Sequence, residues 1–244
     1  MAQEIFERYE KKYMITLEQY HALISSMITK IEADRYGKYT ICNVYFDTPD
    51  YRLIRDSLEK PVYKEKLRLR SYGVPTDEDR VYLELKKKFD GVVYKRRAEL
   101  PLKDARKYLY YGIRPEQPGQ ILKEIDYTYQ LYQARPMVYL AYERIAFFGK
   151  EDPELRITFD MNIRARDYNL ELNRGSYGIP LLEKGQLLME VKIPGAMPAW
   201  MSHLFSELEI YPVSYSKYGT YYRKYIESTH RQLIKPSEGG RICA

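Results

Sequence analysis

An alternating stretch over residues 62–100 constrains the fold of this chain more than any other part of the sequence. It contains three runs, VYKEKLRLRSYG, VYLELKKKF and VVYKRRAEL, which are separated by turns at residues 74–80 and 90–91. Alternation of polar and apolar residues predicts strands, and the Asp-Gly pair at residues 90–91 is a strong hairpin signal. The stretch therefore predicts three consecutive antiparallel strands.

The polar face of these three strands is densely cationic, because successive side chains point to opposite faces of a strand. It carries Lys64, Lys66, Arg68 and Arg70 on the first strand, Glu84, Lys86 and Lys88 on the second, and Lys95 and Arg97 on the third. The wet side of an antiparallel sheet is commonly polar. It usually mixes both signs of charge, since like charges on paired strands are destabilising. The pattern therefore favours a surface that binds a polyanion over a face that is merely solvated.

The rest of the 244-residue chain supplies further strands and helices. Alternation predicts strands at residues 6–15, 39–46, 137–148, 155–163 and 187–193, the fourth with Asp160 and Asn162 opposite Ile163. Thr16 and Gln19 form a capping box for a helix that runs to about residue 33. Further helices are expected at residues 51–58, from Pro101 onward, at 120–133 and at 216–234. We predict a single domain over residues 1–234 and a mobile tail over residues 235–244.

The alternation also predicts the architecture of this domain, which belongs to the α+β class. About eight strands, each with one charged and one apolar face, predict a closed antiparallel eight-stranded β-barrel. This barrel forms a tunnel with a polar lumen, and the helices pack outside. Eight strands leave an interior wide enough for side chains or one small ligand. The alternative is an open sheet whose charged face is exposed to water.

The positive charge of the chain belongs mainly to the proposed lumen. The excess of cations over acids on that face is larger than the net charge of +6 for the whole chain. Enclosed cations are costly unless they are paired or meet an anion, and phosphate chains suit both arginine and lysine. Glu190 lies among these cations and could hold a divalent metal or form an ion pair with Lys192 or an arginine.

Several other chemistries lack support in the sequence. It contains no GxxxxGK[ST] phosphate loop and no GxGxxG fingerprint, and residues 175–178 lack the spacing of a nucleophile elbow. Cys42 and Cys243 fit no metal or redox spacing, so we expect the protein to lie in a reducing cytoplasm. We also expect no signal peptide and no membrane span, because the sequence shows neither pattern. The 27 tyrosines could suit single-stranded nucleic acid. Packing is the favoured role for most of them, so nucleic acid is not an expected partner.

A series of short motifs runs in order through residues 6–232. The motifs are Arg8-x-Glu10-x-Lys12-Tyr13, Lys66-Leu67-Arg68-Leu69-Arg70-Ser71-Tyr72-Gly73, Glu84-Leu85-Lys86, Lys95-Arg96-Arg97, Tyr142-Glu143-Arg144, Arg156 with Asp160, Glu190-Val191-Lys192 and Ser216-Lys217-Tyr218. Each motif is weak alone. Together they resemble the VTC-type polyphosphate polymerase domain, within the wider CYTH-like superfamily of triphosphate tunnel proteins.

This resemblance implies transfer of the ATP γ-phosphoryl group to growing inorganic polyphosphate inside the tunnel, with Mn²⁺ or Mg²⁺. The implied catalytic residues are Arg68, Arg70, Lys86, Arg144 and Arg156. The implied substrate-binding residues are Lys12, Lys88, Lys95, Arg97, Tyr142, Lys192, Ser216 and Lys217, and the implied metal ligand is Glu190. ATP and inorganic polyphosphate are thus the expected partners. Phosphoryl transfer needs mainly positioning and charge stabilisation, which a cationic tunnel supplies.

Departures from the resembled families bear on this expectation. Hydrolases of the wider superfamily begin with Glu-x-Glu-x-Lys, whereas Arg8 stands at the first glutamate, and Lys88 stands where a family member can have histidine. The lost carboxylate favours a polymerase over an inorganic or nucleoside triphosphatase. The triphosphatase and a non-catalytic polyphosphate-binding module stay as alternatives. Eukaryotic family members add an SPX domain and membrane helices that this sequence lacks, so a membrane partner is left open.

Overall fold

The computed structural model describes residues 8–115 and 119–229, which build one antiparallel sheet with helices on both faces. The strands are β1 (Arg8–Thr16), β2 (Ile31–Asp47), β3 (Tyr63–Tyr72), β4 (Arg80–Phe89), β5 (Val92–Pro101), β6 (Arg135–Gly149), β7 (Arg156–Arg166), β8 (Ile179–Pro180) and β9 (Gln186–Pro194). The helices are α1 (Leu17–Met27), α2 (Arg52–Leu58), α3 (Leu102–Tyr111), α4 (Gln120–Leu131), α5 (Ala199–Glu207) and α6 (Lys217–Tyr221), and a π-helical turn over Tyr222–Ile226 follows α6. The predicted tail at residues 235–244 lies outside the described residues.

The prediction of a closed eight-stranded barrel is wrong, because the sheet is open and has nine strands. The order is β1-β9-β7-β6-β2-β3-β4-β5, and the two-residue strand β8 pairs with β7. β1 and β5 end this order, and no strand pairing joins them within residues 8–115 and 119–229. The free edge of β1 bonds instead to a later segment, where the Val213 N–H donates to the Lys12 carbonyl at 2.7 Å. This segment occupies backbone hydrogen-bonding groups of β1 that would be needed to close the sheet onto β5.

The open sheet is nevertheless strongly curled, and its charged face is the concave one. Burial is the main cause of the lowered pKa of Lys66 on β3, and Lys12 on β1 contributes to it. Five strand pairings separate β1 from β3 in the sheet order. Glu10 on β1 likewise acts on the pKa of Lys86 on β4. Such approaches across the sheet require that it bends around this face.

The convex face of the sheet is apolar and is covered by helices. α3 and α4 pack over one half, which includes Leu67, Leu83 and Tyr139. α1 and α5 cover the other half, which includes Ile157 and Met189. This arrangement agrees with the prediction that the helices lie outside the polar face, and it leaves the concave face to carry the site.

One end of the concave face is apolar, which the prediction of a polar lumen did not include. Ile41, Leu140 and Leu188 form a core there with residues of α2 and α6. Asn162 has a φ of +50° and lies where the pairing of β6 with β7 shifts register. The shift is a β-bulge, which adds one residue to β7 and reverses its alternation. Ile163 therefore joins the concave core instead of the outer face.

The first helix begins as predicted and ends earlier. Thr16 Oγ1 accepts a hydrogen bond from the Gln19 N–H at 3.1 Å, and Gln19 Oε1 accepts one from the Thr16 N–H at 2.9 Å. This reciprocal pair is the predicted capping box. The helix ends at Met27 rather than near residue 33, because Ile31 already pairs with Gly149 as the start of β2.

Candidate functional site

The predicted site residues of the strands face one another across the concave face. The facing positions on neighbouring strands are Arg68–Glu84–Arg97, Lys66–Lys86–Lys95, Lys64–Lys88, Asn43–Arg70, Lys12–Glu190, Lys192–Arg156 and Arg144–Asp160. Tyr142 precedes Arg144 by two residues on β6, and Ser216 and Lys217 lie at the start of α6. Lys86, Lys88, Lys95 and Lys192 are exposed, whereas the other cations on this list are partly or fully buried. The face thus has an enclosed part and a wetter rim.

Glu84 holds together the cations of β3, β4 and β5. Its side chain is 2% exposed and accepts hydrogen bonds from Arg68 Nε and Arg97 Nε, both at 2.7 Å. Lys95 Nζ lies 2.9 Å from Oε1 of the same carboxylate. Burial raises the pKa of Glu84, but the surrounding cations outweigh burial and hold it well below its usual range. The carboxylate therefore stays ionised and fixes these three cations on the concave face, with Arg70 as a fourth at 3.9 Å.

Two further carboxylates, those of Asp160 and Glu190, contact Lys217. Lys217 Nζ lies 2.6 Å from Oδ2 of Asp160 and 3.0 Å from Oε1 of Glu190. Arg144 donates two hydrogen bonds to Asp160, at 2.6 and 2.7 Å, and lies 3.7 Å from Glu190. Burial lowers the pKa of Lys217, but the two carboxylates outweigh it and raise the pKa above its usual value. Lys217 is therefore charged at neutral pH.

Glu190 is also close to β1. Lys12 Nζ lies 3.8 Å from Oε1 of Glu190 and donates a hydrogen bond to the Tyr215 carbonyl at 3.0 Å. Burial raises the pKa of Glu190, but Lys217, Lys12 and Arg144 together hold it well below its usual range. Cations from three separate elements thus converge on this carboxylate.

The start of α6 is shaped by Ser216 and Gly219. Ser216 Oγ accepts a hydrogen bond from the Gly219 N–H at 3.2 Å, so this hydroxyl caps the helix. A Cβ atom at Gly219 would lie 2.7 Å from Leu58 Cδ2, so α6 packs closely against the Leu58 side chain of α2. These two contacts fix the position from which Lys217 reaches Asp160.

Buried Asp47 accepts hydrogen bonds from both α6 and α2 and so connects the two helices. Tyr218 donates a hydrogen bond to Asp47 Oδ2 at 2.9 Å. The same carboxylate accepts the N–H groups of Leu53 and Ile54 in the first turn of α2, at 2.8 and 3.0 Å. Burial is the largest influence on Asp47 and raises the pKa of its carboxyl group. Asp47 is the last residue of β2, and its position there gave no signal of this role.

Arg70 lies 3.9 Å from Glu84 and makes its hydrogen bonds to neutral partners. Its Nε donates to Asn43 Oδ1 at 3.0 Å, and its side chain also donates to the Tyr142 hydroxyl at 3.3 Å. Arg144 and Lys217 lie over the ring of Tyr142, with their charges 5.2 and 4.8 Å from its centre. Tyr142 therefore links Arg70 of β3 to the ion pairs around Asp160.

Several cations of the concave face have no carboxylate partner. Lys64, Lys66, Lys86 and Lys88 occupy facing positions on β3 and β4, and no carboxylate of the described residues lies within 4.0 Å of them. Arg156 lies over the Phe148 ring, and its buried Nε has no hydrogen-bond partner in the described part of the chain. A buried donor without a partner is costly. An anion at these positions would supply the missing partner.

Glu190 and Asp160 are the carboxylates that could hold a metal ion beside bound phosphates. Within the described ranges, no three side chains of the types His, Cys, Asp and Glu cluster as a metal site. A metal bound together with substrate phosphates commonly needs only one or two protein carboxylates. The pair therefore fits a metal that takes its other ligands from phosphate and water, and this metal would share the pair with Lys217.

Comparison with known proteins assigns this chain to a family. The model of the VTC domain matches residues 7–226, which is most of the chain. The chain belongs to the VTC domain family. No curated protein sequence matches this VTC domain.

Two solved structures share the fold of the VTC domain. One is a proposed adenylate cyclase from Bacillus halodurans, at 16% identity and a TM-score of 0.54, with 85% of this chain and 92% of that chain covered. The other is a proposed adenylyl cyclase from Hippeastrum with a dominant triphosphatase activity, at 14% identity and a TM-score of 0.50. Here the coverage is 95% of this chain and 98% of that chain. At these identities the likeness shows the fold.

Proposed function

We propose that this VTC domain transfers the γ-phosphoryl group of ATP to a growing inorganic polyphosphate chain. The observation that carries the proposal is the concave face, on which lysines of β3 and β4 and Arg156 have no carboxylate partner among the described residues, while neighbouring cations are fixed by Glu84, Asp160 and Glu190. An enclosed surface with unpaired cations suits a linear, highly charged anion. The family assignment supports the same chemistry, and a cytoplasmic location with access to ATP is part of the proposal.

Each group of residues has a role in this proposed mechanism. Arg68, Arg70 and Arg156 would bind phosphate oxygens through directed N–H groups, and Lys86 would add a compact charge. Arg144 would orient Asp160 and Lys217 and stabilise charge on the transferring group. Such positioning and charge stabilisation account for most of the catalysis of phosphoryl transfer, which needs no covalent nucleophile.

The remaining predicted residues would hold the substrate along the same face. These are Lys12, Lys88, Lys95, Arg97, Tyr142, Lys192 and Lys217, with Ser216 acting through the cap that places Lys217. Glu190 would hold Mn²⁺ or Mg²⁺, and the bound metal would neutralise developing charge on the phosphates. If Glu190 held the metal, Asp160 would remain as an ion-pair partner for Lys217.

A triphosphatase is the second candidate, and the fold shared with the Hippeastrum protein favours it. Both reactions would bind the triphosphate of ATP to the same cations. They differ in the group that accepts the phosphoryl, which is a phosphate chain in one and water in the other. The products therefore separate the two candidates.

The test incubates the wild-type protein with ATP and Mn²⁺ or Mg²⁺ and measures polymer length, ADP and inorganic phosphate. We expect polymer and ADP. Release of phosphate without polymer would establish the triphosphatase, and tight binding of tripolyphosphate without turnover would establish a binding module. Oligonucleotides should compete poorly with tripolyphosphate at physiological salt, and strong salt-dependent oligonucleotide binding would favour nucleic acid as the partner.

The variant Glu190→Gln tests the metal role, with Glu10→Gln as its matched control. Glu10 lies on the same face but pairs with Lys12 and Lys192 at 3.9 and 3.5 Å and is more exposed. Loss of the metal ligand should reduce polymer synthesis by orders of magnitude, because metal stabilisation is worth several kcal/mol. Tripolyphosphate should still bind, and Glu10→Gln should stay active. Equal polymer synthesis by Glu190→Gln and wild type would remove the metal role but not the polymerase.

A further inference from the structure

Lys66 occupies the centre of the unpaired lysines on the concave face. It lies on β3 and faces Lys86 on β4, with Lys64 and Arg68 as its neighbours on the same face of its own strand. Its side chain is partly buried. No carboxylate of the described residues lies within 4.0 Å of its ammonium group, unlike those of Lys95 and Lys217.

The groups around Lys66 are mainly apolar or cationic. A small cleft beside it is lined by Leu53 and Ile54 of α2 and by Tyr45, Phe46 and Tyr218. The charged groups that act on Lys66 are Lys12 from β1, Lys64 from β3 and Lys86 from β4. Of the groups that act on it most strongly, only the Tyr45 hydroxyl of β2 favours the charged form.

These surroundings disfavour the protonated form of Lys66. Burial first, and the neighbouring lysines second, lower the pKa of Lys66 to about 8. The pKa of Tyr45 is also lowered, to about 8, because Arg68 and Lys66 outweigh burial. For a phenol this favours the charged form, whereas for the amine of Lys66 it favours the neutral form. A phosphate anion next to these groups would reverse the balance, since it favours every positive charge around it.

We propose that Lys66 is a further phosphate-binding residue, and that it takes up a proton from solvent when a phosphate chain occupies the concave face. The inference rests on the proposed function only in requiring that phosphate chains bind this face. The neutral amine and one solvent proton give the ammonium group, and no other bond changes. Arginines cannot act in this way, because they stay protonated. Lys217 cannot either, since its two carboxylates keep it charged.

Calorimetry of tripolyphosphate binding tests the proposal between pH 7 and 9, in pairs of buffers with different ionisation enthalpies. Wild type should take up an increasing fraction of a proton as the pH rises through 8, and its affinity should fall over the same range. Lys66→Arg should keep the affinity within a few fold at pH 7 and lose this part of the proton uptake. The protonation of tripolyphosphate itself is common to both proteins, so the difference between them isolates Lys66.

Two further variants keep the test decisive. Lys66→Met should lose both the proton uptake and about tenfold or more in affinity at pH 7, the loss expected for one charge-assisted hydrogen bond. Tyr45→Phe should retain the uptake, and its loss there with retention in Lys66→Arg would assign the proton to the phenol and overturn the proposal. Equal uptake by wild type and Lys66→Arg, or no binding of tripolyphosphate at all, would also overturn it. Binding with uptake but without polymer synthesis would overturn the polymerase alone.

Discussion

Replacing Glu84 by glutamine removes the charge that holds Arg68, Lys95 and Arg97 together. Glutamine keeps the shape of the side chain and one acceptor oxygen. Breaking a buried ion pair costs about 3–5 kcal/mol, because the remaining charge stays buried without compensation. Two features reduce this figure, since Arg68 is 24% exposed and Lys95 is 47% exposed. We therefore expect a loss of about 2–3 kcal/mol in the free energy of unfolding.

Thermal unfolding measures this loss directly. For a domain of this size, each kcal/mol shifts the melting temperature by about 2–4 °C, so Glu84→Gln should melt about 4–12 °C below wild type. Tripolyphosphate should raise the melting temperature of the variant more than that of wild type. The added anion supplies the negative charge that the three cations have lost, and its binding stabilises the folded state.

The matched control is Glu99→Gln. Glu99 pairs with Arg80 at the surface, where both side chains are exposed. Such pairs contribute about 0–1 kcal/mol, so this variant should melt close to wild type with and without tripolyphosphate. If Glu84→Gln melts within about 2 °C of wild type, the three cations do not depend on Glu84. If tripolyphosphate stabilises Glu84→Gln and wild type equally, the three cations do not face the anion site.

Gly219→Ala should lower stability by less than about 1 kcal/mol, because its Cβ would meet only the end of the flexible Leu58 side chain, and a loss above about 3 kcal/mol would mean that Leu58 cannot turn away. Ser216→Ala should cost about 1 kcal/mol through loss of the helix cap, and it should weaken tripolyphosphate binding only slightly; a large loss of affinity with full stability would mean that the hydroxyl contacts phosphate. The lowered pKa values of Glu84 and Glu190 stabilise the fold above the unfolded pKa of about 4.3, and this stability is lost as the pH falls. Melting temperatures from pH 7 to 3 should therefore fall more steeply for wild type than for Glu84→Gln, and parallel curves would exclude the contribution of Glu84.

The sequence predicts the register of β3, β4 and β5 well, because it depends on local features. Alternation sorts Arg68, Glu84 and Arg97 onto one face, and the Asp-Gly turn sets the pairing of β4 with β5. The same alternation fails at Asn162, since nothing in the pattern marks the positive φ that inserts a bulge into β7. It also fails for closure of the sheet, because the partner of the β1 edge is a segment about 200 residues away.

The residue types of the candidate site are also predictable, whereas their pairing is not. Alternation identifies Lys12, Glu190 and Arg144 as members of one face. It cannot show that Asp160 accepts both Arg144 and Lys217, because this depends on how deeply α6 enters the curled sheet. Nor does it identify Tyr45 or Asp47, whose environments are set by α2 and α6 rather than by their own strand.

The pairing of β1 with β9 and with the Val213 segment also governs the order in which the protein can assemble. β1 is made before its strand partner at residues 186–194. Tyr13 and Ile15, which are buried in the finished sheet, therefore lack their native cover until that strand has been made. Pairings between such distant segments slow folding and leave strand edges open to other chains. The concave face is complete only after β9 has paired with β1 and α6 has docked, so a chain without residues 186–217 lacks the complete candidate site.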